Sequence, residues 1–261
     1  MRPIKCFISA FLFVIATAFT LPVEAQEISV YQSRHVSNED MPQFIHRETT
    51  YWRTVAENAI QEGNLQFWAL LVKVGGYNIP NSPNVLFINT FNDIDNTGGI
   101  WNASEAFPDV PTESMNTISM STVMHTMFVR PENYVEAEGV VPDKDYNYVN
   151  IIFHDTNSPV ELIDLENKHW APFIKSSMDE GKTPQKGWGN AVILSPSGPH
   201  IQATTVSYDL YSTLKDALDP SWAEDTTFPE DGLTQIGELE ISRRISNVYE
   251  IVSVVNADME N

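Results

Sequence analysis

The chain has 261 residues, of which 35 are acidic and 15 are basic, so its formal net charge at pH 7 is −20. A surface this acidic repels nucleic-acid phosphates and anionic lipid headgroups, which excludes both as partners. Hydrophobic residues make up 42% of the chain and there is a single cysteine, so an apolar core rather than disulfide bonds must hold the fold together.

The first 25 residues are typical of a secretory signal peptide. Two basic residues precede an apolar run over residues 6–21, and small residues occupy positions 23 and 25 ahead of Gln26. We therefore expect cleavage before Gln26 and an extracytoplasmic location, either periplasmic or secreted. Cys6 leaves with this segment, so the mature chain has no disulfide or thiolate chemistry. No later segment is apolar enough to span a bilayer.

The six tryptophans fall into two matched triplets. The triplets are Trp52, Trp68 and Trp101, spaced 16 and 33 residues apart, and Trp170, Trp188 and Trp222, spaced 18 and 34 residues apart. In each triplet the first tryptophan is followed 11 residues later by a glycine, and the third opens a W-x5-F-P-acidic segment. This shared spacing indicates two copies of one unit of roughly 110 residues.

Both units predict the same order of elements. The first has a strand at Ile28–Tyr31, a helix with its apolar face between Met41 and Ile60 that ends at Gly63, strands at Phe67–Val74 and Val85–Phe91, and a last strand within Thr122–Val135. The second has a strand at Tyr148–Phe153, a helix from the capping box Ser158–Glu161 to Met178 with a kink at Pro172, strands at Trp188–Leu194 and Ile201–Tyr208, a short helix at Leu210–Leu218 and a strand at Ile245–Val255. We divide the mature chain into repeat one (26–140), a linker (141–147) and repeat two (148–261).

This order is the split βαβ arrangement of ferredoxin-like domains. With it, the chain resembles the dimeric α/β-barrel superfamily, and in particular its fused, secreted bacterial members with a tryptophan-rich first helix. The resemblance covers most of residues 28–256 and implies an α+β fold. Two tandem ferredoxin-like units would face each other through their sheets as a pseudo-dimeric α/β barrel, in a monomer or a homodimer. Because the superfamily includes cofactor-free monooxygenases, muconolactone isomerases, haem enzymes and members without known activity, it implies fold more than function.

Four tryptophans are candidates for a ligand site. Trp68 and Trp188 begin strands and suit either the core or a ligand-binding surface. Trp101 and Trp222 lie in acidic, proline-containing loops. They either present their rings to a ligand at the mouth of a barrel or pin their own loops through the F-P motif.

His35 and His154 are the candidate catalytic residues. Both follow the first strand of their repeat, 17 and 16 residues before its first tryptophan. Such histidines suit a general base or a metal or haem ligand, and a polar edge position is the alternative. His46, His125 and His200 have no matching partner, and no HExxH or similar spacing occurs, so we expect no structural zinc site.

Two further patterns concern charged ligands. Arg130 and Arg244 share an R-x-x-N pattern on the predicted last strands, where an inward-facing arginine could hold a carboxylate ligand or pair with an acid of the chain. Asp93 and Asp95 open a D-x-D-x-x-G segment that resembles a calcium loop. The segment has Ser104 where a bidentate glutamate is needed, so an ordinary turn is the alternative.

The sequence contains no dinucleotide fingerprint, P-loop or nucleophile elbow. Our leading hypothesis is a protein that binds a small, partly apolar molecule in the barrel or beneath the Trp101 and Trp222 loops, without a catalytic set. The alternative is a cofactor-free oxygenase or isomerase, or a haem-binding enzyme, with His35 or His154 as base or axial ligand. A third possibility is an interaction module that uses its acidic face and has an interior filled by side chains. The sequence identifies neither the ligand nor a cofactor.

Overall fold

A computed structural model of the chain describes residues 27–75, 82–198, 203–242 and 244–257. Its strands are β1 (Ile28–Val36), β2 (Leu65–Lys73), β3 (Val85–Phe91), β4 (Ser121–Glu136), β5 (Tyr148–His154), β6 (Gln185–Ser195), β7 (Thr205–Tyr211) and β8 (Ile245–Asn256). They form a closed antiparallel barrel in the order β1-β3-β2-β8-β5-β7-β6-β4. The predicted signal peptide lies outside the described residues and stays a prediction, as do the proposed repeat boundaries.

The closed barrel overturns the predicted fold class. The four strands of each half are neighbours, but β2 is hydrogen-bonded to β8 and β4 to β6 across the halves. The expected pair of ferredoxin-like units with two facing sheets is therefore wrong, because all eight strands belong to one continuous sheet. An open sheet would leave unpaired backbone N–H and C=O groups along each edge, and closure pairs them.

The helices are short and lie outside the barrel. They are α1 (Met41–Arg47), α2 (Arg53–Gln61), α3 (Ala103–Ala106), α4 (Thr112–Met115), α5 (Pro142–Asp145), α6 (Pro159–Leu165), α7 (Ala171–Asp179), α8 (Leu214–Leu218) and α9 (Glu230–Leu239). A π-helical turn at Glu48–Trp52 joins α1 to α2, and another at Glu166–Trp170 joins α6 to α7. Within the described ranges, none of the helices is long and apolar enough to cross a membrane.

The helix ends have a local cause, whereas the π-helical interruptions are not explained by proline. Gly63 and Gly181 follow α2 and α7 with φ of +74° and +68°, as expected for glycines that end a helix. Pro172, where the sequence predicted a kink, is the second residue after the second π-helical turn. Thr54 occupies the matching position after the first π-helical turn. Because both helices contain the turn and only one has a proline there, proline does not cause it.

The inner face of the barrel is lined by apolar side chains contributed by all eight strands. The buried members are Tyr31, Ala69, Leu71, Leu86, Met127, Val129, Val149, Ile151, Ala191, Ile193, Val206, Leu210 and Tyr249. These side chains form one apolar cluster inside the barrel.

A second apolar layer lies between the outer face of the sheet and the helices. Trp68 and Trp188 belong to this layer, one in each half, and each is only 2% exposed. Both residues thus serve the core rather than an open ligand-binding surface.

Truncation of Trp68 or Trp188 to alanine is expected to lower the free energy of unfolding by about 3–5 kcal/mol, because each change leaves a large cavity. Urea unfolding of the mature chain, followed by circular dichroism, measures the loss. The control is Trp101→Ala, which removes a ring that is 36% exposed and should cost less than about 1 kcal/mol. Equal losses in the three variants would contradict a core role for Trp68 and Trp188.

Candidate functional site

The space between sheet and helices differs in polarity between the two halves. In the first half, Leu70 pairs with Phe87 across β2 and β3. In the second half the pair at the same register is Asn190 and Ser207, across β6 and β7. Asn190 follows Trp188 by two residues, as Leu70 follows Trp68. Polar side chains thus occupy the second half at positions where the first half has hydrophobic ones.

His154, the last residue of β5, is hydrogen-bonded at both ring nitrogens and only 2% exposed. Its Nδ1 lies 2.7 Å from Oε1 of Glu240, and its Nε2 lies 2.8 Å from Oγ of Ser207. Because a carboxylate oxygen accepts, Nδ1 carries the proton of the neutral ring and Nε2 accepts from the Ser207 hydroxyl. The network therefore fixes the tautomer and orients the basic lone pair of Nε2.

Glu166 places a second carboxyl group near the Nε2 end of this ring, whereas Glu240 lies at the Nδ1 end. It is the first residue of the second π-helical turn, and such turns are frequent at functional sites. Its Oε1 lies 3.9 Å from Nε2 of His154, and its Oε2 accepts a hydrogen bond of 3.0 Å from Nδ2 of Asn190.

Burial moves the two pKa values in opposite directions. It raises the pKa of Glu166 to about 7, against the opposing effect of the Asn190 hydrogen bond. It lowers the pKa of His154, although the hydrogen bond to Glu240 acts in the other direction. Near neutral pH the histidine is therefore an unprotonated base, while the glutamic acid keeps a large protonated fraction. A base and an acid side by side at the same pH are typical of acid–base catalysis.

Glu240 links this pair to the surface. Its Oε1 also accepts a hydrogen bond of 2.5 Å from Nε of Arg244, whose side chain is 46% exposed. Arg244 precedes β8, whereas Arg130 lies on β4 and pairs with Glu132 at 2.5 Å. Both arginines predicted to hold a carboxylate ligand thus form ion pairs within the chain, the alternative that the sequence left open.

Two fully buried polar atoms beside this cluster have no hydrogen-bond partner among the residues that the structure describes. They are Oδ1 of Asn190 and Oγ1 of Thr205, and Thr205 is paired directly with His154 across β5 and β7. An unsatisfied buried polar group costs about 1–3 kcal/mol, so each requires an explanation. A small bound molecule with polar groups would satisfy both atoms, and we therefore take this cluster as the candidate site. We define the His154 site as His154, Glu166, Asn190, Ser207 and Glu240.

The structure does not bring His35 to a matching position. His154 is paired with Thr205, the first residue of β7. In the first half the matching residue is Val85, the first residue of β3, and it is paired with Arg34. His35 is the next residue along β1 and therefore points to the opposite face. It is partly exposed, and its Nδ1 lies 2.8 Å from the carbonyl oxygen of Ser82.

Sequence reasoning missed the two buried glutamates. Glu48 begins the first π-helical turn as Glu166 begins the second, and burial raises the pKa of Glu48 to about 7 as well. The available signal was an E-x3-W motif at the first tryptophan of each triplet, Trp52 and Trp170. In the first half the glutamate faces the charge of Arg34, so the His154 site has no equivalent there.

The two loop tryptophans have different environments. Trp222 packs against three other aromatic rings, with centroid distances of 4.9 Å to Phe228, 5.7 Å to Phe173 and 6.3 Å to Trp170. Trp101 remains 36% exposed. The two residues therefore do not form a matched pair of ligand-binding rings.

The aspartates of the candidate calcium loop form a turn. Asp93 precedes a short 3₁₀-helix at Ile94–Asn96, and its Oδ1 accepts a hydrogen bond of 3.0 Å from the backbone N–H of Asp95. In the part of the chain that the structure describes, no group of three or more histidine, cysteine, aspartate and glutamate side chains is arranged to hold a metal ion.

No protein-family model matches the chain, and comparison with curated proteins also finds no match. Solved structures with the same fold include a proposed monooxygenase from Fusobacterium nucleatum subsp. nucleatum, with a TM-score of 0.56, 8% identity, and 89% of this chain and 95% of that chain covered. A proposed monooxygenase from Lactobacillus acidophilus gives 0.55 and 9%, covering 89% and 97%. An anthrone oxidase-like protein gives 0.54 and 12%, covering 91% and 96%. These neighbours are dimeric α/β-barrel proteins, in agreement with the resemblance of the sequence to that superfamily.

Glu166→Gln is expected to become more stabilising as pH rises. Because the pKa of Glu166 is about 7 in the folded chain and 4.5 ordinarily, the folded chain keeps a proton between these pH values that the unfolded chain has lost. Stability of the parent chain therefore falls as pH rises through this window. Glutamine does not ionise, so the free energy of unfolding of the variant relative to the parent should rise from pH 4.5 to pH 7, by on the order of 3 kcal/mol, and then level off.

Urea unfolding at several pH values across this window measures the difference. Glu48→Gln, the matched buried glutamate of the first half, should show the same trend. A difference that does not change with pH would mean that Glu166 titrates as an exposed carboxyl.

Proposed function

We propose that the chain is an enzyme that abstracts a proton from a small organic substrate, with His154 as the general base. The reaction class is oxidation or isomerisation without a bound cofactor. The observation that carries the proposal is the doubly hydrogen-bonded, buried His154 with the carboxyl group of Glu166 at 3.9 Å. The likeness to proteins described as monooxygenases and as anthrone oxidase-like concerns the fold alone, and the activities so described belong to the same reaction class.

The geometry gives each residue of the His154 site a role. An acidic C–H proton of the substrate passes to the Ser207 hydroxyl as that hydroxyl gives its own proton to Nε2 of His154. Glu240, which accepts from Nδ1, stabilises the imidazolium that forms. Protonated Glu166 donates a hydrogen bond to the oxygen on which negative charge develops, and the unpaired oxygen atoms of Asn190 and Thr205 accept from substrate donors.

Two outcomes follow from the carbanion. In an isomerisation, the proton returns from His154 to a different carbon atom and no other reactant is consumed. In an oxidation, dioxygen accepts the electrons. For anthrone, one molecule of O₂ would convert the methylene group into a carbonyl group, giving anthraquinone and one molecule of water.

His154→Gln is expected to lower kcat/KM for anthrone oxidation by about 10²–10⁴-fold, the usual contribution of a general base. Oxygen uptake and anthraquinone formation by the mature chain measure the rate. His35→Gln is the matched control and should leave the rate unchanged, because His35 lies outside the site. A parent chain that neither oxidises anthrone nor exchanges its methylene protons with D₂O faster than the His154→Gln variant would contradict the proposal for this substrate class.

A haem-binding function has less support. Both ring nitrogens of His154 are already hydrogen-bonded, to Glu240 and Ser207, so an axial bond to iron would break one of these bonds. The residues of the His154 site therefore do not fit a haem ligand, and no step of the proposed reaction passes through one.

Binding of a partly apolar molecule beneath Trp222 is also less well supported. The Trp222 ring already packs against Trp170, Phe173 and Phe228.

We further propose that the mature protein is extracytoplasmic, on the sequence pattern of residues 1–25. Expression of the full chain in a Gram-negative host should place it in the periplasm with Gln26 as its first residue. Cell fractionation and N-terminal sequencing test this outcome. Cytoplasmic protein that retains Arg2 and Lys5 would contradict it.

A further inference from the structure

The two unpaired oxygen atoms, Oδ1 of Asn190 and Oγ1 of Thr205, belong to side chains on the same face of the sheet. Asn190 is paired with Ser207, which follows Thr205 by two residues on β7, so all three side chains point to the same side. The ring of His154 lies on that side too, because its Nε2 is hydrogen-bonded to Ser207. Asn190 and Thr205 are both 0% exposed. Their free oxygens therefore belong to the buried layer that contains the His154 site.

The free oxygen of Asn190 can only accept a hydrogen bond. Nδ2 of Asn190 donates to Oε2 of Glu166 at 3.0 Å and to Oδ1 of Asn167 at 3.1 Å, which uses both amide protons. Because both partners are acceptors, the amide group cannot be turned round. The remaining Oδ1 has lone pairs and no proton, so a donor must complete it.

Asp209 adds a carboxyl group to the same face. It follows Ser207 by two residues on β7, and its Oδ1 accepts a hydrogen bond of 2.8 Å from Nε2 of Gln185. In addition to burial, the charge of Asp209 raises the pKa of Glu166, so these two carboxyl groups are close enough to interact. We call Oδ1 of Asn190, Oγ1 of Thr205 and the Asp209 carboxyl group the acceptor cluster.

The first half shows that the fold itself does not require these polar groups. Leu70 occupies the position of Asn190, and Val85, the first residue of β3, occupies the position of Thr205, the first residue of β7. Valine has nearly the shape of threonine but no hydroxyl group. Burying an unpaired hydroxyl is destabilising, so its presence in the second half alone indicates that a ligand completes it.

We propose that the acceptor cluster binds the protonated primary amino group of the substrate. Such a group brings three N–H donors and a positive charge, which match three acceptors of which one is a carboxyl group. A chain of net charge −20 also attracts cations. Within the described ranges no group of three or more histidine, cysteine, aspartate and glutamate side chains could hold a metal ion, which favours an organic cation. This inference rests on the proposed function, because it assigns the substrate class of the same site.

The amino group would also set the protonation of the two buried acids. Burial raises the pKa of Asp209 to about 7, against the effects of the Gln185 hydrogen bond and of the charge of Arg244. A bound ammonium group favours the ionised form, so the amine keeps its proton and Asp209 releases one to the solvent. The charge that Asp209 then carries helps Glu166 to keep its proton, as its role in the reaction requires. The remaining charged groups here are Glu240 and Arg244, which are paired, and His154 is unprotonated.

The test is a calorimetric titration of the mature chain with benzylamine, benzyltrimethylammonium and benzyl alcohol. Benzylamine should bind at least tenfold more tightly than the other two, because the second compound has no N–H donor and the third has no charge. From pH 6 to pH 8 the dissociation constant of benzylamine should fall about tenfold, as Asp209 loses its competing proton. At pH 6 binding should release about one proton, measured from the enthalpies in buffers that differ in ionisation enthalpy.

Two variants introduce the residue types of the first half into the acceptor cluster. Thr205→Val and Asp209→Asn copy Val85 and Asn89, the residues at the same positions of β3. Each variant should weaken benzylamine binding at least tenfold, and Asp209→Asn should also abolish the release of a proton. Glu48→Gln, which changes the buried glutamate of the first half, is the control and should leave the affinity unchanged. Circular dichroism of each variant checks that the fold is intact.

Equal affinity for the three compounds, or unchanged affinity for benzylamine in both cluster variants, would overturn the inference. Absence of benzylamine binding would also overturn it and would mean that water alone completes the acceptors. The anthrone assay separates this inference from the proposed function. Benzylamine binding without anthrone oxidation contradicts only the function, whereas oxidation that depends on His154 without benzylamine binding contradicts only the amino-group site.

Discussion

The hydrogen bonds that join β2 to β8 and β4 to β6 are the constraint on which the rest of the structure depends. They turn eight strands into a sheet without edges, whose inner face is lined by apolar side chains from every strand. The helices pack against the outer face. The His154 site lies between that outer face and the helices.

The two halves use this outer layer differently. In the first half Leu70 and Phe87 make it a hydrophobic core, where Arg34 lies over the Phe87 ring with its guanidinium carbon 5.2 Å from the ring centroid. In the second half Asn190 and Ser207 stand at the same register, and each polar atom needs a partner or a ligand. One half therefore supplies stability, while the other half can hold a buried acid and base.

The third tryptophan of each triplet also has different surroundings in the two halves. In the second half Trp222 packs against Trp170, Phe173 and Phe228. In the first half Trp101 is 36% exposed, while Val55, the counterpart of Phe173, is buried with Ala103 and Met115. The aromatic cluster of the second half therefore has no equivalent around Trp101.

The sequence by itself determined the features that depend on neighbouring residues. The order of strands and helices, the helix ends at Gly63 and Gly181, and the choice of His154 as a candidate base all follow from local periodicity, turn chemistry and residue type. Only the tertiary structure decided which strands pair across the halves, since β2 and β8 are separated by most of the chain. It also decided that Arg34 rather than His35 matches His154, because a shift of one residue along a strand moves a side chain to the other face. The tertiary structure also decided that Glu166 lies beside His154. The sequence does not show which residues a glutamate on a helix will face, because that depends on how the helix packs against the closed barrel.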